Sequence, residues 1–362
     1  MTGRRVAWLL AGAVALIAVA IWLSSRRHLE RDMTAGALVL PGLQQSVNAI
    51  TTVSLRKGDG THVTLSRQEA GWTVTERGWP ADRSKVRKLL LDLGALNVVE
   101  EKTRLAANYP SLGVEDVSSP KASGTLVELV APSHGWAIII GKSSSGKSGY
   151  VRLASAPQSL LAAPPVSVDA DPKDWLERAL IDLNVARVRE IEEKPAQGAA
   201  YSAARENKEQ SNFTVSPLPK GRALTGPGAP EPIAGSLSAL TLDDVRKAET
   251  PAGAQLSHVV FRTFDGLEVE LAGRKDGSHA LVTISARSSA KDTADEAQKL
   301  QARCAGWEFE IPDYRYNTIF KPLEELLQKP PEPAQKKTAA ARPPASKNQP
   351  AGSKSPPAVP SK

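Results

Sequence analysis

Residues Gly141 to Ser148, GKSSSGKS, read G-x-x-x-x-G-K-S, the full pattern of a phosphate-binding P-loop. In a working P-loop a strand delivers the chain to a glycine loop whose amides cradle phosphate. A helix then begins at the Lys-Ser pair, so that its N-terminus faces the negative charge. Gly141, Gly146, Lys147 and Ser148 would fill these roles, with ATP or another phosphate as ligand. Trp136 to Ile140 meets the strand condition. The helix condition is not met. Gly149 follows at once, Tyr150, Val151, Arg152 and Leu153 favour a strand, and Pro157, Pro164 and Pro165 leave no room for a helix. Magnesium would also need an acid after a later strand, and Asp243 in "LTLDD" follows only a weak apolar run. Four serines, two glycines and two lysines generate such a match easily. The segment therefore reads as a mobile hairpin loop between two strands, with nucleotide or phosphate binding as the rival reading.

The other reactive residue types form no constellation. His28, His62, His134, His258 and His279 are scattered, none at helical metal-ligand spacing from another His or Glu. Asp169, Asp171 and Asp174 are spaced like calcium-loop ligands, but Pro172 and the pattern that follows make helix capping the better reading. No Ser-His-Asp or Cys-His arrangement carries a local signature. Cys304 is the single cysteine, which excludes an intrachain disulfide framework and any multi-thiolate metal site. Trp72, Trp79, Trp136 and Trp175 read as core residues in preference to the lining of a ligand groove. No catalytic residue, metal or cofactor is expected, and the chain reads as non-enzymatic.

The elements that would position a site begin with an apolar run. Residues 6–23, uncharged and bracketed by arginine pairs, would span about 27 Å as a helix, close to the thickness of a bilayer's hydrocarbon core. Trp8 and Trp22 lie near its ends, where indoles favour the membrane interface. The run continues past Ala20 to Arg26 without a polar cleavage region, so an uncleaved anchor is preferred to a signal peptide. Both flanks are basic, and charge does not fix the orientation. The formal charge of +7 lies mostly at the ends: residues 329–362 hold seven Lys or Arg against one Glu. The middle is close to neutral, which gives no nucleic-acid-binding face.

Between these ends the chain alternates short apolar-polar runs with turn signals. Val53 and Leu55, Val63 and Leu65, then Trp72 and Val74 form a meander around Gly58-Asp59-Gly60. A helix follows Asp82, with Val86, Leu89, Leu90 and Leu93 on one stripe before Gly94. "LVELVAPSHGWAIIIGK" reads as strand, turn, strand, and "YVRLAS" as a further strand. "DADPKDWLERALIDL" carries the strongest helix signature of the chain, with Asp171 at the cap and Trp175, Leu176, Ala179, Leu180 and Leu183 inward. The second half reads as a worn copy of the first: "FTVSPLPKG" echoes "WTVTERGWP", "LTLDDVRKAET" echoes "LNVVEEKT", and "FDGLEVELAGRKDGSHALVTISA" echoes "HGWAIIIGKSSSGKSGYVRLAS". The expected architecture is α+β: an anchor in 1–28, a linker in 29–45, a first antiparallel-sheet-plus-helix unit in 46–187, a second in 188–328, and a disordered Pro/Ala/Lys-rich tail in 329–362.

The stretch "WTVTERGWPADRSKVRKLLLDLGALNVVEEKT", followed by "IIIGK…GYVRLAS" and "DPKDWLERALIDL", resembles the bacterial domain-of-unknown-function 4340 (DUF4340) family. "LPGLQQSVNAITTVSL" and "WEFEIPDYRYNTIFKPLEELL" are similar to its opening and closing segments. The resemblance implies an inner-membrane protein with one N-terminal anchor and the bulk of the chain on the extracytoplasmic side. It also implies association with auxiliary subunits of ABC-type transport or gliding-motility systems, and no catalytic residues. The partners expected are therefore the lipid bilayer through residues 6–23 and a membrane protein, with no nucleic acid. A structural role, in which the basic tail contacts cell wall or anionic lipid, is the further alternative.

Overall fold

The computed structural model describes residues 35–249 and 255–329. The apolar run 6–23 and the tail from 330 lie outside them, and among the described residues no helix is long and apolar enough to cross a membrane. The protein is mixed α+β, built mainly of antiparallel sheet with few helices.

The first sheet contains β1 (Thr52–Lys57), β2 (His62–Gln68), β3 (Gly71–Val74), β4 (Trp79–Pro80), β5 (Asn97–Glu101), β6 (Thr125–Val130), β7 (Gly135–Ser144), β8 (Ser148–Leu153) and β9 (Ser159–Ala163). In space their order is β4-β3-β2-β1-β6-β7-β8-β9-β5, each neighbour antiparallel. The turn between β1 and β2 uses Gly60 at φ +92°, a left-handed conformation that costs glycine little. There the Asp59 carboxylate accepts the Thr61 amide at 2.8 Å. Val53, Leu55, Val63, Leu65 and Val74 alternate onto one face and are fully buried. The helix Arg83–Gly94 is capped by Asp82, whose carboxylate accepts from the Ser84 and Lys85 amides. Its inner stripe of Val86, Leu89, Leu90 and Leu93 closes the core.

After β10 (Ala179–Ile181) the second sheet begins with β11 (Val188–Lys194), β12 (Tyr201–Ala204) and β13 (Thr214–Ser216). Next come β14 (Leu240–Thr241), which pairs with β10 in a small separate ribbon, and β15 (Asp244–Lys247). The sheet is completed by β16 (Ser257–Thr263), β17 (Leu267–Asp276), β18 (His279–Ser288) and β19 (Trp307–Ile311), in the order β13-β12-β11-β16-β17-β18-β19-β15. Apart from the edge strand β4, this order repeats that of the first sheet strand for strand, with β1 matching β11 and β5 matching β15. The three echoes read in the sequence fall on β13 against β3, on β14–β15 against β5, and on the β17–β18 hairpin against β7–β8.

One expectation is corrected. Residues 171–183 do not form a long helix: a single 3-10 turn, Pro172–Trp175, gives way to extended chain and β10. Asp171 does cap that turn, accepting the Lys173 amide at 3.0 Å. The chain then straightens because its backbone is claimed by the edge of the first sheet. The Trp175 carbonyl accepts the Asp82 amide, the Glu177 amide donates to the Pro80 carbonyl, and Ala81 bridges Leu176. Pairing with a preformed edge outweighs a helix propensity of a few tenths of a kcal/mol per residue.

The helix Ala294–Cys304 carries no such sequence signal. Only Ala297 and Cys304 on it are buried, too little apolar pattern to read.

Candidate functional site

The P-loop-like residues lie within a β-hairpin. Gly141 and Lys142 belong to β7, Ser148 opens β8, and Ser144 pairs directly with Ser148. The turn is made by Ser145 at φ 52° and Gly146 at φ +71°, the left-handed pair expected of a tight hairpin. The Ser148 hydroxyl donates to the Ser144 carbonyl at 3.2 Å, and Lys147 points into solvent. Among the described residues the loop is followed by strand and not by a helix, so it lacks the helix N-terminus that a P-loop turns toward phosphate. Gly141 is a packing residue: a Cβ there would lie 2.4 Å from the Leu112 carbonyl oxygen and 2.8 Å from a Val114 methyl. Gly141→Ala is expected to lower the melting temperature clearly, whereas Lys147→Ala leaves it unchanged and nucleotide titration gives no heat for either protein.

The remaining sequence candidates are dispersed. Asp169 accepts a 3.1 Å hydrogen bond from Lys57, Asp174 pairs with Arg178, and no group of acids, His and Cys among the described residues could hold a metal. Trp79 and Trp175 are fully buried and Trp136 nearly so, each with its indole N–H donating to a backbone carbonyl. His134 packs edge-on to Trp136, and His62 bonds its own turn at the Gly60 carbonyl. Cys304 is buried, which pushes its thiol up to about 11.

A different region gathers charge. On the outer face of the first sheet, Leu126 and Ile139 are covered by the segment that carries Tyr109, Leu112, Val114 and Val117, which makes a second small core. The connection from β5 to β6 that supplies this cover runs from Lys102 to Gly124. Its counterpart in the second sheet, from β15 to β16, is only Ala248 to Leu256. There the outer face, which presents alternate residues of β11, β16, β17, β18, β19 and β15, carries no apolar cover among the described residues. Val260 and Leu281 on it are buried yet join neither apolar core. They lie among long charged side chains, whose aliphatic stems shield the apolar floor.

The charged heads form a lattice of cross-strand pairs. Arg262 reaches Glu192 at 2.8 Å, Glu268 at 3.3 Å and Glu190 at 3.6 Å. Glu308, only 4% exposed, receives Arg274 at 3.0 Å and Arg246 at 2.8 Å. Arg287 also pairs with Glu268, His258 with Glu270 at 3.1 Å, and His279 with Glu310 at 2.8 Å. Two arginines on the Glu308 carboxylate offset its desolvation, which explains how an acid is tolerated there.

At the β15 edge the lattice ends in a cavity of about 190 Å³ lined by Lys173, Asp244, Arg246, His279, Glu308 and Glu310. Here the two sheets meet. The Arg77 guanidinium, from the turn after β3, grips Asp244 with its Nε at 2.7 Å and an Nη at 3.1 Å, and Lys173 stands 3.4 Å from the same carboxylate. Burial pushes the Asp244 carboxyl up, but Arg77, the Val245 amide and Lys173 outweigh it, holding the group below its ordinary value. The face presents a pattern of cross-strand charge pairs.

Domain of unknown function DUF4340 matches residues 72–258, from β3 into β16 and across both sheets. That is more than half of the chain. The chain belongs to the DUF4340 family. None of the curated proteins and none of the solved structures matches it. In this DUF4340 member the matched span includes the P-loop-like hairpin and Asp244, while Glu308 and Glu310 lie beyond it.

The lattice was partly visible beforehand. "LEVELAGRKD" alternates Glu268 and Glu270 with Val269 and Leu271, so period 2 places the acids on one face. Which arginine meets which glutamate depends on a register that single strands do not encode.

Proposed function

We propose that this chain is a non-enzymatic envelope protein, held in the inner membrane by residues 6–23, whose folded part binds a membrane protein as an accessory subunit. The observation that carries the reading is the open, ion-paired outer face of the second sheet, where the first sheet's equivalent face is sealed by residues 105–118. Two sheets of the same strand order fit duplication of one unit, after which one copy kept its cover and the other kept a recognition face. The apolar run bracketed by arginines supports the anchor, with the bulk of the chain on the extracytoplasmic side. An ABC-type transport complex is the partner class in keeping with family resemblance.

The test is affinity purification of the full chain from detergent-solubilised membranes at native expression. Wild type is expected to recover a membrane protein in near-stoichiometric amount. Glu270→Arg, which takes from His258 its carboxylate partner and puts a cation where the pattern has an acid, is expected to reduce that recovery about tenfold or more while the chain stays folded. Recovery of no membrane partner by wild type, or equal recovery by the variant, overturns the reading.

A further inference from the structure

We propose that the solvent-facing stripe of the helix Arg83–Gly94, centred on Arg87, Lys88 and Leu91, lies against the surface of an anionic lipid bilayer. The inference rests on the anchor reading above and adds where the folded part meets the membrane. The inner stripe of this helix is fully engaged with the core, which leaves Ser84, Arg87, Lys88 and Leu91 along the opposite side at i, i+3, i+4 and i+7. Leu91 is 49% exposed, one of the few large apolar side chains left in solvent. Val99, 47% exposed, follows the helix within two turns' length of chain.

Charge on the helix is one-sided. It carries Arg83, Lys85, Arg87 and Lys88 against Asp92 alone. Lys85 is committed to the Asp174 carbonyl and the Trp175 ring, and Arg83 to the Ala70 carbonyl. Arg87 makes no hydrogen bond or ion pair among the described residues. Lys88 pairs only with Asp92, a solvent-screened contact on the same helix. A basic stripe with an exposed leucine at its centre has the composition of an interfacial surface, in which the cations meet lipid phosphates and the apolar residue enters the headgroup boundary.

Placement supplies the second argument. The chain coming from residues 6–23 joins the fold alongside the end of this helix. The Gly36 amide donates to the Val98 carbonyl, the Val98 amide to the Ala37 carbonyl and the Val39 amide to the Leu96 carbonyl, each at 2.8 Å. Gln44 packs over Gly94. The twelve residues from 24 to 35 reach at most roughly 40 Å when fully extended, about the thickness of a bilayer with its headgroups. With residues 6–23 in the membrane, the chain enters the fold beside the C-terminal end of this helix.

The experiment uses the full chain reconstituted into phosphatidylcholine vesicles with and without phosphatidylglycerol. An environment-sensitive fluorophore is placed at Leu91→Cys, or, as the distant reference, at Glu209→Cys; Cys304 is buried and serves as the unlabelled background. On phosphatidylglycerol vesicles the label at position 91 is expected to shift to the blue and to be quenched by brominated lipid, while the label at 209 does neither. Arg87→Glu with Lys88→Glu is expected to abolish the shift, with the melting temperature reporting that the fold is kept. A label at 91 as wet as that at 209, in chain that co-floats with vesicles and resists carbonate extraction, overturns this inference and leaves the anchor standing. An equal shift on phosphatidylcholine alone overturns the role of lipid charge. Chain that fails to co-float overturns the anchor, and this inference with it.

Discussion

Replacing Glu193 by Gln is expected to remove a loss of stability that grows as pH rises from about 4.5 to about 9. Glu193 lies one residue from the end of β11, paired with Tyr201 on β12 and Val259 on β16, and its side chain faces the core on the same side as Ile191. It is fully buried, and neither carboxylate oxygen has a hydrogen-bond partner among the described residues. The Tyr201 hydroxyl is close enough to feel the carboxylate, yet donates to the Lys321 carbonyl at 2.7 Å. Burial alone pushes the Glu193 carboxyl up to about 9, and the same buried site pushes Tyr316 up to about 12.

The sign follows from the two protonation equilibria. Below pH 4.5 the carboxyl is protonated in the folded and the unfolded chain alike, and the folded state is at its best relative to the unfolded one. Between 4.5 and 9 the unfolded chain releases the proton while the folded chain holds it, so stability falls with each step in pH. Above 9 the folded chain carries the buried charge too, and the penalty levels off. At about 1.4 kcal/mol per pKa unit, the full loss is on the order of several kcal/mol, a large part of a domain's net stability. Urea denaturation of the detergent-solubilised chain at pH 5 and pH 8, followed by tryptophan fluorescence, measures it. Glu193→Gln should match wild type at pH 5 and exceed it at pH 8. Equal differences between the two proteins at both values would sink the assignment.

Glu193 also marks how far the sequence could be read. In "VREIEEK", period 2 sets Glu190 and Glu192 on one face and Ile191 and Glu193 on the other, so the inward carboxyl was visible to anyone who trusted the alternation. The hairpins were legible for a similar reason. Their turns need Gly60, Gly146 and Gly277 at positive φ, and local chemistry alone selects those residues. The helix after Asp82 was legible because cap, stripe and C-terminal glycine agreed.

What failed to show was decided by distant chain. The helical signature at 171–183 lost to hydrogen bonds with Pro80 and Asp82, some 90 residues earlier, and β9 and β12 are too short and mixed in composition to stand out. Of the candidate site, the P-loop letters were legible and so was the strand that breaks them. The ion-paired face was not, because it exists only through a register shared by six strands. The connection after β5 spans residues 102–124 in the first sheet and its match after β15 spans 248–256 in the second, a difference in length that says nothing until the matching strand orders are in view.

The seam between the two sheets yields the other large expected effect. It has three components: backbone pairing through Ala81–Leu176, the ion pair Arg77–Asp244, and an aromatic group around Trp79. Trp79, at the edge of the first sheet, is 1% exposed and meets two rings of β19 edge-on. Trp307 lies at 5.4 Å with an interplanar angle of 77°, and Phe309 at 5.2 Å with 73°. Its indole N–H donates to the Glu177 carbonyl at 3.0 Å, and the Arg303 guanidinium stands 5.5 Å from its ring centre. Emptying such a site costs about 3–5 kcal/mol, with a further ~1 kcal/mol for the lost ring pairs. Arg77→Ala leaves a carboxylate that is 16% exposed and still has Lys173 within 3.4 Å, so its cost is about 1–2 kcal/mol. Trp79 therefore dominates the seam, and the two substitutions should differ in kind as well as size. Differential scanning calorimetry of Arg77→Ala should show one transition moved down by a few degrees. Trp79→Ala should split the endotherm in two, because each sheet keeps its own strand pairing and most of its apolar face while the contact that couples them is lost. A single transition for Trp79→Ala, shifted no further than that of Arg77→Ala, would place the coupling elsewhere, in the β10–β14 ribbon and the backbone bonds to Pro80.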